Sequence, residues 1–513
     1  MGRPAPLATS VAALLLLGCA DHPLTGVPPS TLQQSNQVFP QSLEKDIDLL
    51  FVIDNSGSME GEQNNLRQNF PRLIEALRSE KLGPVKGGTG PCSKADTGGC
   101  KIPNVRIGVV STDLGAGNMT DQCAPGGDGG RLLNGDKCVR PGASYIEYID
   151  GVTNIQSPTS KDPVEQVKQA FSCMAALGTK GCGYEHSLEA ARRALDGKTN
   201  LGFLRDKALL AVVFITDEDD CSARKPQLFS IGDYYYASYR CFEYGIRCNE
   251  NDYTKQGQRT GCRPVDDPDS SKHWLHPVSD YVAFFKTLKP GGRVILSALA
   301  GPTDKVEVGA DGYGNYLMPS CQETDDRSAA PAIRLKHVVD AFDKQGHFST
   351  ICTDNFGPAL KQLGELIIAS LEGQCVDAPP LTENGNLVCN AGVALGKDRA
   401  GREVTCKAGC LERANCVVEL SSHEGTKTLV PRCEPAKFQN PADRSCSGAS
   451  CPCWRLVHKP GECDPATRGS PYALEVLRPA GVEPDKGSAA LVRCATTPET
   501  WGSAPFAEMP QCF

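Results

Sequence analysis

The sequence lacks any apolar stretch after residue 18 that is long enough to cross a bilayer, so no membrane-spanning helix is expected there. It also lacks an excess of positive charge, because 53 Lys and Arg residues stand against 61 Asp and Glu residues. With a net charge of −8, we expect no nucleic-acid partner. The His-Glu-x-x-His signature is absent, and the glycines of residues 126–130 are not followed by Gly-Lys-Ser/Thr, which excludes a phosphate loop of that type. No nucleophile, base and orienting residue form a recognisable set, so we expect no enzyme.

The N-terminus carries export signals. Arg3 precedes an apolar stretch that is too short for a membrane span and is typical of a signal peptide, here residues 1–18. The tetrapeptide Leu-Leu-Gly-Cys that ends at Cys19 resembles a bacterial lipobox, which implies lipidation of Cys19. The chain is then expected on the exported side of the bacterial cell envelope, anchored to the inner or outer membrane by acyl chains. Residues 19–45 contain prolines and polar residues without periodicity, and they predict a flexible tether.

Cysteine is abundant, which fits an oxidising, exported environment. The chain has 25 cysteines, and setting aside Cys19 leaves 24. Twelve of these lie from Cys92 to Cys352 and twelve from Cys375 onward, so each group can close its own disulfides. This parity predicts a separate Cys-rich module, residues 375–513, into which Cys375 pairs.

Residues 46–374 alternate apolar strands with amphipathic helices. This pattern predicts an α/β fold with a Rossmann-like open, mostly parallel sheet and helices on both faces. Three loop-like insertions rich in Gly, Pro, Asp or Cys interrupt it, at 83–103, 114–160 and 221–275. Two local disulfides are suggested within them, Cys92–Cys100 and Cys123–Cys138, although sequence alone leaves the connectivity open.

The most informative motif follows the first strand. Residues 47–53 form an apolar run with almost no polar interruption, as expected of a strand buried on both faces. Asp54, Ser56 and Ser58 come directly after it, at the carboxyl end of the strand, where open α/β sheets bind their ligands. Carboxylate and hydroxyl oxygens suit hard divalent cations, here Mg²⁺, Mn²⁺ or Ca²⁺.

This motif resembles the metal-ion-dependent adhesion site, or MIDAS, of the von Willebrand factor type A (VWA) family. In that family three loops supply the metal ligands. The first loop supplies an Asp and two Ser, the second supplies a Thr, and the third supplies an Asp. Asp54, Ser56 and Ser58 match the first loop, and Asp217, which ends the apolar run 209–216, matches the third. In the second loop Glu185 stands where Thr is expected, and Ser187 is the alternative ligand if the register differs.

The substitution of Glu for Thr changes the charge of the predicted site. With Asp54, Glu185 and Asp217 the site has three carboxylates, which repel one another without a cation. With a divalent ion the cluster has a net charge of −1, so the ion attracts an acidic partner less strongly. We therefore expect a tightly held metal that depends less on acidic ligands.

Two further clusters allow alternative interpretations. The acidic run at residues 217–220 is either an additional Ca²⁺ site or a solvated loop, and such runs favour the loop. The second cluster comprises Cys446, Cys451 and Cys453. These three cysteines could bind zinc, but in an exported chain disulfides are favoured.

The resemblance implies a cell-envelope lipoprotein whose VWA domain binds a protein or other ligand with the help of a divalent cation, through an acidic group of the partner. An alternative is that the metal only stabilises the fold and the Cys-rich module performs the recognition. Fold alone does not decide between these functions.

Overall fold

The computed structural model describes most of residues 33–496. The described residues are 33–41, 46–79, 100–117, 123–206, 208–230, 236–267, 272–289, 293–324, 327–372, 375–376, 380–381, 394–397, 403–405, 413–422, 426–440, 443, 445–459, 463, 470, 472–482, 484 and 488–496. The predicted signal peptide and Cys19 lie outside them, as do the residues from 497 to the C-terminus.

The described chain alternates strands with helices through its first two thirds. Its strands are β1 (Gln33–Pro40), β2 (Asp46–Ile53), β3 (Asn104–Ser111), β4 (Ile146–Ile149), β5 (Val152–Thr153), β6 (Leu209–Ile215), β7 (Ile246–Arg247), β8 (Gly257–Gln258), β9 (Arg263–Pro264), β10 (Val294–Ala300), β11 (Glu307–Asp311), β12 (Gly314–Leu317), β13 (Cys321–Thr324), β14 (Arg327–Ala329), β15 (Gly346–Thr350), β16 (Ala394–Lys397), β17 (Glu403–Thr405), β18 (Cys416–Ser421), β19 (Lys427–Val430), β20 (Cys453–His458), β21 (Tyr472–Leu477) and β22 (Ala489–Thr496). Its α-helices are α1 (Glu60–Ala76), α2 (Gly135–Cys138), α3 (Pro163–Met174), α4 (Ser187–Ala194), α5 (Ala237–Gly245), α6 (Val278–Thr287), α7 (Ile333–Asp340), α8 (Gly357–Glu372) and α9 (Pro435–Gln439).

Seven strands form the central sheet in the order β15-β10-β6-β2-β3-β4-β5. The first five are mutually parallel, and β4 and β5 are antiparallel at one edge. The predicted α/β fold with an open, mostly parallel sheet is therefore confirmed. The interpretation of residues 114–160 as a loop-like insertion is wrong in part, because β4 and β5, which are only four and two residues long, extend the sheet there.

Helices cover both faces of this sheet, because alternate residues of each strand point to opposite sides. Phe51 of β2 packs on one face with Phe70 of α1 and Phe171 of α3, whose rings stack 3.6 Å apart. On the other face Phe214 of β6 meets Phe285 of α6. In the part of the chain described, no helix has both the length and the apolar character needed to cross a bilayer.

Disulfides cross-link the helices and loops around the sheet. The predicted local pair Cys123–Cys138 is wrong, because the structure joins Cys123 to Cys182 and Cys138 to Cys173. These pairings follow from which cysteines are close together in the folded chain, and not from their spacing in the sequence. Cys100 is disulfide-bonded, while Cys92 lies outside the described residues. The remaining bridges of this part are Cys221–Cys241, Cys248–Cys262 and Cys321–Cys352.

The C-terminal part is built on a four-stranded sheet of order β1-β22-β18-β19 and the hairpin of β20 and β21. Cys375 bonds to Cys463 inside this part, so its predicted pairing is confirmed. The three cysteines considered for zinc form disulfides instead, as expected for an exported protein. The bridges that accompany Cys375–Cys463 are Cys416–Cys494, Cys433–Cys453 and Cys446–Cys451.

Strand β1 corrects the prediction of a flexible tether over residues 19–45. All eight residues of β1 pair antiparallel with β22, from Gln33 opposite Thr496 to Pro40 opposite Ala489. The side chain of Phe39 is buried in the core of the C-terminal part. The segment that precedes the central sheet in the chain is therefore an edge strand of the C-terminal sheet. The small core of the C-terminal part thus contains residues from both ends of the described chain.

We expect Phe39→Ala to destabilise the C-terminal part by about 3 kcal/mol, because it leaves a cavity in a small core. Hydrogen–deuterium exchange of the β22 amides measures this, and exchange should become faster there while the central sheet is unchanged. Leu429→Ala, at a residue 56% exposed in the same sheet, is the matched control. Unchanged β22 protection in Phe39→Ala would contradict a stabilising role for β1.

Candidate metal centre

The predicted site residues meet at the switch point of the central sheet. β2 and β6 are neighbours, but β2 connects onward to β3 on one side and β6 connects to β10 on the other. Such divergent connections open a crevice at the carboxyl ends of the two strands. Asp54 directly follows β2 and Asp217 follows β6, so both lie at this crevice.

The first loop folds around the buried carboxyl of Asp54. One oxygen, Oδ1, accepts a hydrogen bond of 2.8 Å from the backbone N–H of Ser56. The other oxygen, Oδ2, accepts one of 2.9 Å from the hydroxyl of Thr216. The hydroxyls of Ser56 and Ser58 lie 3.4 Å apart, and Ser58 is on the exposed side of the loop. This arrangement gathers three oxygen-bearing side chains at the end of one strand.

Asp217 lies next to this loop. Its side chain is only 7% exposed and is hydrogen-bonded by Ser58. Its Oδ1 atom is buried and has no hydrogen-bond partner among the described residues. A buried carboxylate oxygen without a donor is costly, so this atom is suited to accept a cation.

Glu185 completes the group from the loop that precedes α4. Its side chain is fully buried, and Oε2 accepts a hydrogen bond of 2.5 Å from the hydroxyl of Thr112. Its Oε1 has no hydrogen-bond partner among the described residues, and its carboxyl interacts with that of Asp54. The hydroxyl of Ser187, the alternative ligand, is also buried without a partner in the described chain.

Burial raises the pKa of all three carboxyls, and at two of them the charge of Asp54 adds to the effect. Burial raises the pKa of Asp54. Burial and the charge of Asp54 raise the pKa of Glu185 well above its usual value and that of Asp217 to about 8. No basic side chain is among the main influences on these three pKa values. Without a cation, the cluster therefore retains protons at neutral pH.

The donor set fits a hard divalent cation. Two buried oxygens, Asp217 Oδ1 and Glu185 Oε1, have no donor among the described residues, and the Ser56 and Ser58 hydroxyls lie beside them. Within the segments described, no three His, Cys, Asp or Glu side chains are arranged to hold a metal by themselves. Hydroxyl and water oxygens must therefore supply part of any coordination sphere, which Mg²⁺ and Mn²⁺ accept readily.

Backbone hydrogen bonds hold the loops of the site together. The N–H of Gly181 donates to the carbonyl of Asn55, over 2.8 Å, and a Cβ at Gly181 would lie 2.2 Å from the Asn55 side chain. The N–H of His186 donates to the Thr112 carbonyl, and that of Cys221 donates to the Glu185 carbonyl. The Glu185 loop is thus tied to the loops after β2, β3 and β6.

Sequence reasoning missed Thr112 and Thr216, which donate to Glu185 and Asp54. Each is a hydroxyl residue directly after a buried strand, a signal that could have identified both. Gln63 was also missed, and its side-chain N–H donates to the Asp54 carbonyl over 3.0 Å.

The acidic run after β6 is not a solvated loop, so that interpretation is wrong. Asp220 is fully buried and forms an ion pair of 3.1 Å with Arg334, which is also buried. The carboxylate of Asp219 accepts the backbone N–H groups of Arg334 and Leu335 at the start of α7. The backbone N–H of Leu188 at the start of α4 donates to Asp220. This run therefore joins two helices to the site.

The insertion at 221–275 packs against the Glu185 loop. Arg240 of α5 is buried and donates hydrogen bonds to the Tyr184 hydroxyl and the Phe229 carbonyl. The ring of Phe229 contacts that of Tyr184, with centroids 4.8 Å apart. Together with the Cys123–Cys182 bridge, the insertion restrains the loop on both sides of Glu185.

Comparisons with known proteins give weak structural similarity only. No protein-family model matches the chain, and no curated protein matches it. The solved structures that it resembles include the conserved hypothetical protein BatB from Bacteroides thetaiotaomicron, with 11% identity, a TM-score of 0.25, and 64% of this chain and 100% of that chain covered. Another is the pilus adhesin SpaC from Lactobacillus rhamnosus GG, with 10% identity, a TM-score of 0.29, and 90% and 42% covered. TM-scores this low support no inference about function.

We expect the metal-free protein to lose stability as the pH rises from 5 to 8. The carboxyl of Asp217 has a pKa of about 8 when folded and about 3.8 when unfolded, so the folded state binds more protons in this window. One such group lowers the free energy of unfolding by up to about 1.4 kcal/mol per pH unit.

Urea unfolding in chelator at a series of pH values measures this dependence. The free energy of unfolding of Asp217→Asn should fall less steeply with rising pH than that of the unmodified chain. Asp304→Asn, at an exposed position, should show the same pH dependence as the unmodified chain. A stability that is flat or rises from pH 5 to 8 in the chelated protein would contradict the raised pKa.

Proposed function

We propose that this protein is a bacterial cell-envelope lipoprotein of the VWA type, which holds a divalent cation at the β2–β6 crevice and uses it to bind a protein or other ligand. The observation that carries the proposal is a pair of buried oxygens, Asp217 Oδ1 and Glu185 Oε1, which have no hydrogen-bond donor in the described part of the chain and whose carboxyls interact with Asp54. A cation in their midst would favour the charged carboxylates, which burial and, at Glu185 and Asp217, the charge of Asp54 otherwise disfavour.

Five side chains would hold the ion: Asp54, Ser56, Ser58, Glu185 and Asp217. When bound, the ion supplies an electrostatic contact for an oxygen of the partner. Thr216 and Thr112 keep the carboxyls of Asp54 and Glu185 in place through hydrogen bonds. Ser58 is exposed, so the site faces solvent on its side of the loop.

The path of the chain supports a role in binding ligands away from the anchor. β1 joins the C-terminal sheet, and β2 then runs from Asp46 to Ile53 before reaching Asp54. Eight strand residues span roughly 25 Å. The chain therefore enters the central sheet from β1 at Asp46, at the end of β2 opposite Asp54.

A structural role of the cation is the second candidate, with recognition by the Cys-rich part. It is favoured by Asp54, because both of its carboxyl oxygens already accept hydrogen bonds from within the protein. In that case the ion would lock the loops, and partner binding would survive its removal. We propose no catalytic activity for either candidate.

We expect Mg²⁺ or Mn²⁺ to raise the unfolding temperature of the full chain, because an ion that binds only the native state stabilises it by mass action. The shift should disappear in Asp54→Asn and Asp217→Asn but persist in Asp304→Asn, which removes the same charge elsewhere. Differential scanning calorimetry of chelated protein with each cation measures it. Equal shifts in all four proteins would refute the site.

We expect Glu185→Thr to weaken cation binding by about tenfold or more, because it removes one of three negative charges around the ion. The same variant should bind acidic ligands better, since its bound ion is less neutralised. Isothermal titration with Mg²⁺, Mn²⁺ and Ca²⁺ gives the affinities. Glu60→Gln, at an exposed residue close in sequence to Asp54, is the control for the loss of one negative charge. Unchanged affinity and ion preference in Glu185→Thr would exclude Glu185 as a ligand.

A further inference from the structure

A second recess lies within the 221–275 insertion and has no part in the candidate metal centre. Its volume is about 450 Å³, within the range of small-ligand sites. The hairpin of β7 and β9, the following residues 265–267, and His337 of α7 are among its walls, and the buried Val278 of α6 lies at its base.

Two arginines stand directly opposite each other on this hairpin. Arg247 of β7 pairs with Arg263 of β9, and both are exposed, while Ile246 and Pro264 face the interior. Directly opposed side chains have Cβ atoms about 5 Å apart, and like charges at such positions are destabilising. An anion bound between the two guanidinium groups would relieve this repulsion.

The chain itself does not supply that anion to the arginine pair. Arg247 donates to the carbonyls of Glu243 and Ile246 and lies over the ring of Tyr253. Neither arginine forms an ion pair with any residue that the structure describes. Of the two acids that line the recess, Asp267 pairs with Lys272 over 3.4 Å, and Asp266 is exposed.

A disulfide fixes the spacing of the arginine pair. Cys248 and Cys262 come next to Arg247 and Arg263 in the hairpin and are bonded to each other. The backbone N–H of Asn249 donates to the Thr260 carbonyl beyond them, which extends the ribbon. The two guanidinium groups are therefore carried on a rigid, cross-linked support, which reduces the entropy lost when a ligand binds.

We infer that this recess is an anion-binding site, in which Arg247 and Arg263 together hold a phosphate or carboxylate group. Guanidinium groups bind the paired oxygens of such anions through parallel N–H donors. His337 lines the same recess and adds a hydrogen-bonding group to it, while the charge of Lys272 there is paired with that of Asp267. The inference is independent of the metal centre, because it uses none of the same residues.

The test is isothermal titration of the full chain with inorganic phosphate and, separately, with succinate, at constant ionic strength and in chelator. Arg263→Gln and Arg247→Gln should each weaken binding at least tenfold, and Arg263→Lys should weaken it less. Arg140→Gln is the matched control, since Arg140 is exposed and does not line the recess. Binding of one anion only would identify which of the two chemistries the site takes.

The inference would be overturned if neither anion binds the unmodified chain at millimolar concentration, or if Arg140→Gln weakens binding as much as Arg263→Gln. Unfolding temperatures without anion show whether each variant is folded. If Arg263→Gln does not fold, Arg263→Lys decides, because it keeps the charge and loses the paired donors. Phosphate affinity in Arg263→Lys equal to that of the unmodified chain would then exclude recognition by paired donors.

Discussion

The constraint on which the site depends is the repulsion among three buried carboxyls. Two unit charges about 4 Å apart repel by roughly 4 kcal/mol at an effective dielectric constant of 20. Asp54, Glu185 and Asp217 interact at close range, and no basic side chain is among the main influences on their pKa values. Protons or a cation must compensate the negative charges of these carboxylates. The surrounding loops must also be strongly restrained, because they hold the carboxyls together against this repulsion.

That restraint comes from parts of the chain that are distant in sequence. Arg334 at the start of α7 forms an ion pair with Asp220, which follows β6, whereas Glu218 of the same run adds its negative charge to that acting on Glu185. The Cys123–Cys182 bridge and the contact of Arg240 with Tyr184 fix the loop that carries Glu185. The insertions therefore contribute to the geometry of the site as well as to its rim.

The central sheet and the three acids were predictable because each depends on a local pattern. A buried strand followed by Asp54, and another followed by Asp217, must meet if the strands are parallel neighbours. Strand β1 was not predictable in this way, since its sequence is mostly polar and its partner β22 lies more than 400 residues away. The pairing of Cys123 likewise depended on tertiary proximity, which cysteine spacing does not encode.

The pairing of β1 with β22 also bears on how the protein would act at a membrane. A flexible tether over residues 19–45 would let the metal centre adopt any orientation, whereas residues 33–40 are fixed as an edge strand of the C-terminal sheet. Along the chain β1 is followed by β2, which runs from Asp46 toward Asp54. If Cys19 is lipidated, the chain from the anchor to the site passes through β1, so the orientation of the site depends on the pairing of β1 with β22 and on the small core around Phe39.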